Sequence, residues 1–155
     1  MNPNYSKGIY TLILYLHENT VQKVGKLGVL RLPGGYYTYT GSARGSGGFK
    51  RIERHIEVSC GRNKTRKWHI DYLLPITSIL SAVVSVTDHD IECAVARGIG
   101  AVCEPIRGFG CTDCSCESHL HFSENCETIR DAVRKAHERV HASGLSISVS
   151  DYPLE

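Results

Sequence analysis

The chain has no apolar run approaching the ~18 residues of a membrane span. Its longest, 9–16 and 79–86, are of strand length and carry polar residues, so no membrane partner is expected. The N-terminal MNPNYSKG is polar and unlike a secretory signal. There is no internal repeat and no low-complexity segment. Neither nucleotide-loop signature is present. A Walker A loop needs G-x-x-x-x-G-K-[ST], but Gly48 is followed by Phe49-Lys50-Arg51. A dinucleotide fingerprint needs G-x-G-x-x-G, a spacing that neither Gly34/Gly35 nor the 41–48 run supplies. Strong net charge is also missing, at +2.

Cysteine, by contrast, is plentiful. Seven cysteines without a secretory signal argue against a disulfide framework and for a reducing cytoplasm. At 155 residues, 41% hydrophobic and 22% charged, the chain fits one globular domain. The small net charge hides an uneven distribution. Residues 44–67 carry eight Lys/Arg against Glu53 and Glu57, a block of +6 in an otherwise acidic chain. Such a block suggests an anionic partner met at one place through Arg44, Lys50, Arg54, Lys64, Arg66 and Lys67. A solvated helix and loop would have the same composition.

Residues 8–16 (GIYTLILYL) are apolar on both alternating faces, which predicts a central strand. Turn signals at 18–20, 25–28 and 33–35 separate short strands near 20–24, 28–32 and 36–41, an antiparallel meander. Phe49, Ile52 and Ile56 then recur at helical spacing, with Ser46 as a candidate cap and Arg51 and His55 on a second face. Further expected elements are a strand at 78–86 and a helix from Asp88 or Asp90 through about Ile99. A short strand at 119–122 and a helix at 125–142 follow, the last with the stripe Ile129, Ala132, Val133, Ala136, Val140. The fold class is α+β. A small antiparallel or mixed sheet is flanked by helices, with a core of about 7–122 and the last helix packed on it. In WHIDY, His69 and Asp71 either line a cleft or satisfy each other. In CTDCSCESHLH, Cys111, Cys114, Cys116 and His119 have spacing able to hold Zn²⁺, and a tight loop of reduced thiols lining the cleft through Asp113 and His119 is the alternative.

GIY at 8–10 and YTG at 39–41, followed by FKRIERH, resemble the GIY-YIG endonuclease superfamily. The resemblance implies a nuclease-like fold and a single Mg²⁺ or Mn²⁺ held by a helical glutamate. It assigns Tyr10 and Tyr39 to the attacking water, Arg51 to the scissile phosphate, and His55 to the position one turn on. Activating a phenol near neutral pH requires cations, which Arg51, Arg44 and a metal would supply. YTGSARG, RHI, WHIDYLL, ECA and the FG…DC-x-C-x-SHL stretch resemble a narrower prokaryotic branch, covering about 7–122. That branch is often encoded with, or fused to, endonuclease III-type repair enzymes. It retains Cys114, Cys116 and His119 but not Cys111.

Two departures stand out. Twenty-eight residues separate the motif tyrosines, an excess that a hairpin at about 18–35 would absorb. ECAVAR places Arg97 in the slot of the metal glutamate and Glu92 one turn earlier. The expected function is therefore a Mg²⁺-dependent DNA endonuclease in repair. The alternatives are a nucleic-acid-binding module with a degenerate site, or a zinc-stabilised interaction domain.

Overall fold

The computed structural model describes residues 6–111, 114–142 and 147–154. Strand β1 (Gly8–Leu16) lies in the middle of a sheet, and its sequence explains why. Tyr10, Leu12, Leu14 and Leu16 point to one face and Ile9, Thr11 and Ile13 to the other, all buried. A strand apolar on both faces must be covered on both. The first face packs on Phe49, Ile52, Val58, Ile70, Leu73 and Leu74, and the second on Val95, Ile99, Ile129, Ala132, Val133 and Ala136. The result is a three-layer α+β domain.

Strands β2 (Thr20–Val24) and β3 (Gly28–Leu32) precede β4 (Gly35–Ala43), helix α1 (Lys50–Ser59) and β5 (Ser78–Val86). Helix α2 (Glu92–Gly100), β6 (Glu104–Pro105), β7 (Leu120–Ser123), α3 (Cys126–His141) and β8 (Ser148–Asp151) complete the described strands and α-helices. The main sheet runs β6-β7-β4-β1-β5-β8, and every pairing is antiparallel. WHIDYLLP forms two 3-10 turns, His69–Tyr72 and Leu74–Ile76. No helix among the described residues is long and apolar enough to cross a membrane.

Three expectations need correction. The meander does not form, because β2 and β3 pair with each other as a separate two-stranded sheet. Strand β1 pairs with β4 from Gly8↔Ala43 to Leu16↔Gly35 and with β5 on its other edge. The far edge of β4 is taken by β7, so the hairpin finds no free edge beside its neighbours in sequence. Ser46 does not cap α1. Gly47 and Gly48, at φ of 96° and 53°, turn the chain first, and the helix starts after buried Phe49. Neither Asp88 nor Asp90 caps α2, whose flanking residue is Ile91. Asn125 does cap α3, its side-chain oxygen accepting from Thr128 N at 3.0 Å.

The stripe predicted for α3 is buried apart from half-buried Val140, and it contains one polar member that the pattern hid. His137 is fully buried. Its Nε2 lies 2.9 Å from Thr11 Oγ1 and its Nδ1 2.7 Å from Ser85 Oγ, while Thr11 also meets Thr40. Three strands and one helix are thus joined by a satisfied polar thread inside an apolar core.

Candidate functional site

The two sequence motifs meet because β1 and β4 are direct neighbours. Tyr10 stands opposite Gly41 and Tyr39 opposite Leu12, so both tyrosines project to the α1 face. Their ring centroids are 6.4 Å apart. The motif glycines are places where another chain segment comes too close for a side chain. A Cβ at Gly8 would overlap the Ser85 carbonyl. One at Gly41 would stand 2.5 Å from the Tyr10 hydroxyl. Gly41→Ala is expected to displace the Tyr10 ring and cost about 1–3 kcal/mol, read as a lower urea midpoint. An unchanged midpoint would show that the ring is free to move aside.

Helix α1 brings Arg51 and His55 under these rings. His55 is fully buried, with Nε2 2.6 Å from the Tyr10 hydroxyl. Burial, with Arg54 and Arg51 nearby, pushes its pKa down to about 3, so the imidazole is neutral. Its Nδ1 has no hydrogen-bond partner. With the proton on Nδ1, Tyr10 donates to Nε2. With it on Nε2, the direction reverses and the Tyr10 proton is free to point elsewhere. Burial also raises both tyrosines well above the ordinary phenol range, and Arg51 offsets this only in part. Arg51 does pull both phenols down, as expected of a nearby cation, but burial outweighs it. In the protein alone desolvation wins, and both are neutral hydrogen-bonding groups.

Trp68 organises the basic side of the site. The guanidinium carbons of Arg54 and Arg51 lie 4.2 and 4.8 Å from its ring centroid, and Lys67 Nζ lies at 5.4 Å. Beneath it, Asp71 is fully buried and accepts from Arg54 Nη1 (2.8 Å) and Nη2 (3.0 Å), Lys67 N (2.8 Å) and Trp68 N (3.0 Å). Burial alone would raise the Asp71 carboxyl. The Arg54 fork and the two backbone N–H groups hold it below the ordinary carboxylate range. Of the basic residues named from sequence, Arg54 thus spends both terminal nitrogens on Asp71. Arg44 reaches Asp90 at 3.7 Å, Lys50 borders a groove formed with the 45–48 loop, and Lys64, Arg66 and Lys67 are exposed. Arg51 donates to Ser42 O at 2.7 Å and turns its remaining edge to the cleft.

His69 and Asp71 part company. While Asp71 faces Arg54, His69 Nδ1 accepts from Gly110 N at 2.9 Å and lines the cleft. Gly110, at φ 74°, needs the left-handed region at this turn. The opposite wall comes from the start of α2 and the loop after β6. The whole cavity, about 390 Å³, is bordered by Tyr10, Tyr39, Arg51, Glu92, Cys93 and His119, among others. Asp90 also lines it, and Glu92 and Asp90 supply the hard oxygen donors that suit Mg²⁺.

Cys93, Cys114, Cys116 and His119 form a cluster whose ligand atoms all lie within 4.8 Å of one another, and it can hold a metal ion. Three of these residues were legible from the loop's spacing. Cys93 was not, because it comes from α2, well before the loop, and no spacing rule joins the two. Cys111 lies outside the cluster and its thiol points to Phe109 O. Asp113 lies outside the described residues.

A family model described as a domain of unknown function, DUF123, matches residues 9–142. The chain belongs to the DUF123 family. No curated protein and no solved structure matches it. The DUF123 span runs from β1 to the end of α3, so it encloses every cleft residue named above and the whole Cys/His cluster.

Proposed function

We propose that this DUF123 protein is a GIY-YIG-like endonuclease, hydrolysing a DNA phosphodiester in the cleft with Mg²⁺ or Mn²⁺. One observation carries the reading. Tyr10, Tyr39, Arg51 and Glu92, drawn from four elements, border a single cavity, with His55 bonded behind Tyr10.

Each residue has a task that its surroundings suit. Arg51, with one nitrogen anchored on Ser42, presents the rest of its fork to a phosphoryl oxygen. The Tyr10 and Tyr39 hydroxyls orient a water beside it. The neutral His55 holds Tyr10 in place and does not compete with Arg51 for the phosphate. Glu92 and Asp90 would hold the metal, which when bound neutralises phosphate charge and acidifies its water. Trp68 and the exposed Lys64, Arg66 and Lys67 extend the cleft into a surface for the flanking backbone. The resemblance carries the proposal into DNA repair, beside an endonuclease III-type enzyme.

The test is purified protein with Mg²⁺ or Mn²⁺ on branched, damaged and single-stranded DNA. Cleavage is expected, and Arg51→Ala or Tyr39→Phe should reduce it about 10²–10³-fold without loss of the fold. If all three substrates stay intact, the hydrolytic reading fails. Salt-sensitive binding that survives alone would instead support the binding module, which the exposed Arg97 in the glutamate slot favours.

A further inference from the structure

We propose that Cys93, Cys114, Cys116 and His119 form a structural Zn²⁺ site that staples the loop after β6 to the first turn of α2. The assignment begins with donor chemistry. Three thiols and one imidazole suit zinc and are poor ligands for Mg²⁺. Four protein ligands also complete a tetrahedron and leave no open position, which marks a structural site.

The spacing agrees. Bonds of about 2.3 Å to sulfur and 2.1 Å to nitrogen give tetrahedral ligand–ligand edges of roughly 3.5–3.8 Å. His119 Nε2 stands 3.5 Å from Cys114 Sγ and 3.9 Å from Cys93 Sγ, and all four ligand atoms fit within 4.8 Å. None of the three cysteines is disulfide-bonded.

The other imidazole nitrogen supplies an independent observation. His119 Nδ1 lies 3.9 Å from Glu92 Oε2. At this separation, too long for a direct hydrogen bond, the carboxylate still favours a proton on the facing nitrogen and so coordination through the other one. The histidine itself is rigidly seated, since its backbone N donates to Phe109 O at 2.9 Å and its carbonyl accepts from Thr40 N at 3.0 Å. Thr40 is the residue between Tyr39 and Gly41, so the metal would join α2 to the strand bearing the YTG motif. It would also fix Glu92, the residue before Cys93, against the cleft wall. The site is thus separate in chemistry from the Mg²⁺ of the proposed reaction and shares a wall with it.

Metal analysis of the purified full chain tests this without any nuclease assay. About one zinc per chain is expected. Cys93→Ser and Cys116→Ser should each lower this at least tenfold, while Cys60→Ser and Cys111→Ser should retain it. Because a ligand variant could fail to fold, wild-type protein is also stripped, reduced and titrated with Co²⁺. The intense visible bands of tetrahedral thiolate coordination are expected at one equivalent, discharged by Zn²⁺. Glu92→Gln should weaken zinc retention against a chelator by up to about tenfold. Wild-type protein that carries no zinc and gives no such bands would overturn the proposal, as would iron in its place. Loss of metal from Cys111→Ser as complete as from Cys93→Ser would also overturn it.

Discussion

Asp71→Ala is expected to cost about 3–5 kcal/mol, as does removing one partner of a buried ion pair. The carboxylate is completely enclosed and meets four N–H donors. Alanine leaves the Arg54 guanidinium with no counter-charge and two backbone N–H groups with no acceptor. A domain of this kind has only about 5–15 kcal/mol in total. The effect should spread along the chain, because Lys67 N and Trp68 N are fixed by the same oxygen and Trp68 carries three cations. Asp71→Asn keeps one acceptor but turns an amide toward Arg54, so it should fall between wild type and alanine. Urea unfolding at neutral pH measures both. A loss below about 1 kcal/mol for alanine would mean that water replaces the carboxylate and the pair is no anchor.

Acid should unfold the protein steeply, and histidines decide the direction. Burial lowers His55 to about 3 and His121 and His137 to about 4, each from an ordinary value near 6.5. The unfolded chain therefore takes up protons that the native state refuses. The stability these neutral imidazoles retain is fully present above pH 6.5 and falls as pH drops toward 4. Three protons give a slope of about 4 kcal/mol per pH unit across the middle of that window. Urea midpoints between pH 7.5 and 4.5 check it. In His137→Gln the slope should fall by about a third while His55 and His121 keep the remainder. A flat profile would show that water reaches all three rings.

Why His137 escaped a reading of the sequence is instructive. His137 sits inside the apolar stripe of α3, where helical periodicity reports hydrophobicity and says nothing of a polar partner. Its partners, Thr11 and Ser85, lie on strands that periodicity also reads as plain core. A threonine centred in GIYTLILYL was the available signal. The Asp71–Arg54 fork escaped for a related reason, since the charges are 17 residues apart on different elements. Long elements were legible, including β1, β4, β5, α1 and α3, because their residues carry a strong pattern over nine or more positions. Partners of strands were not. Turn residues at 18–20 and 33–35 mark where the chain reverses, but not that the hairpin leaves the sheet. Strand β8, the sequence SVSD paired to β5 at the sheet edge, has no apolar pattern to announce it. At the site, Tyr10, Tyr39, Arg51, His55 and Glu92 were recognisable through a motif. Cys93 became visible when folding placed it against a loop that follows it in the chain.

The hairpin, outside the main sheet though Val24 and Leu32 anchor it in the core, makes the chain divisible. Strands β1 and β4 hold each other along nine residues, so the connection between them bears none of that register. A single cut beside the exposed Lys26 would yield a short piece carrying the central strand and a long piece carrying both of its neighbours. Tyr10 would travel with one and Tyr39, Arg51, His55 and Glu92 with the other. The cleft then becomes a reconstituted object, assembled on mixing and dependent on the concentration of two fragments.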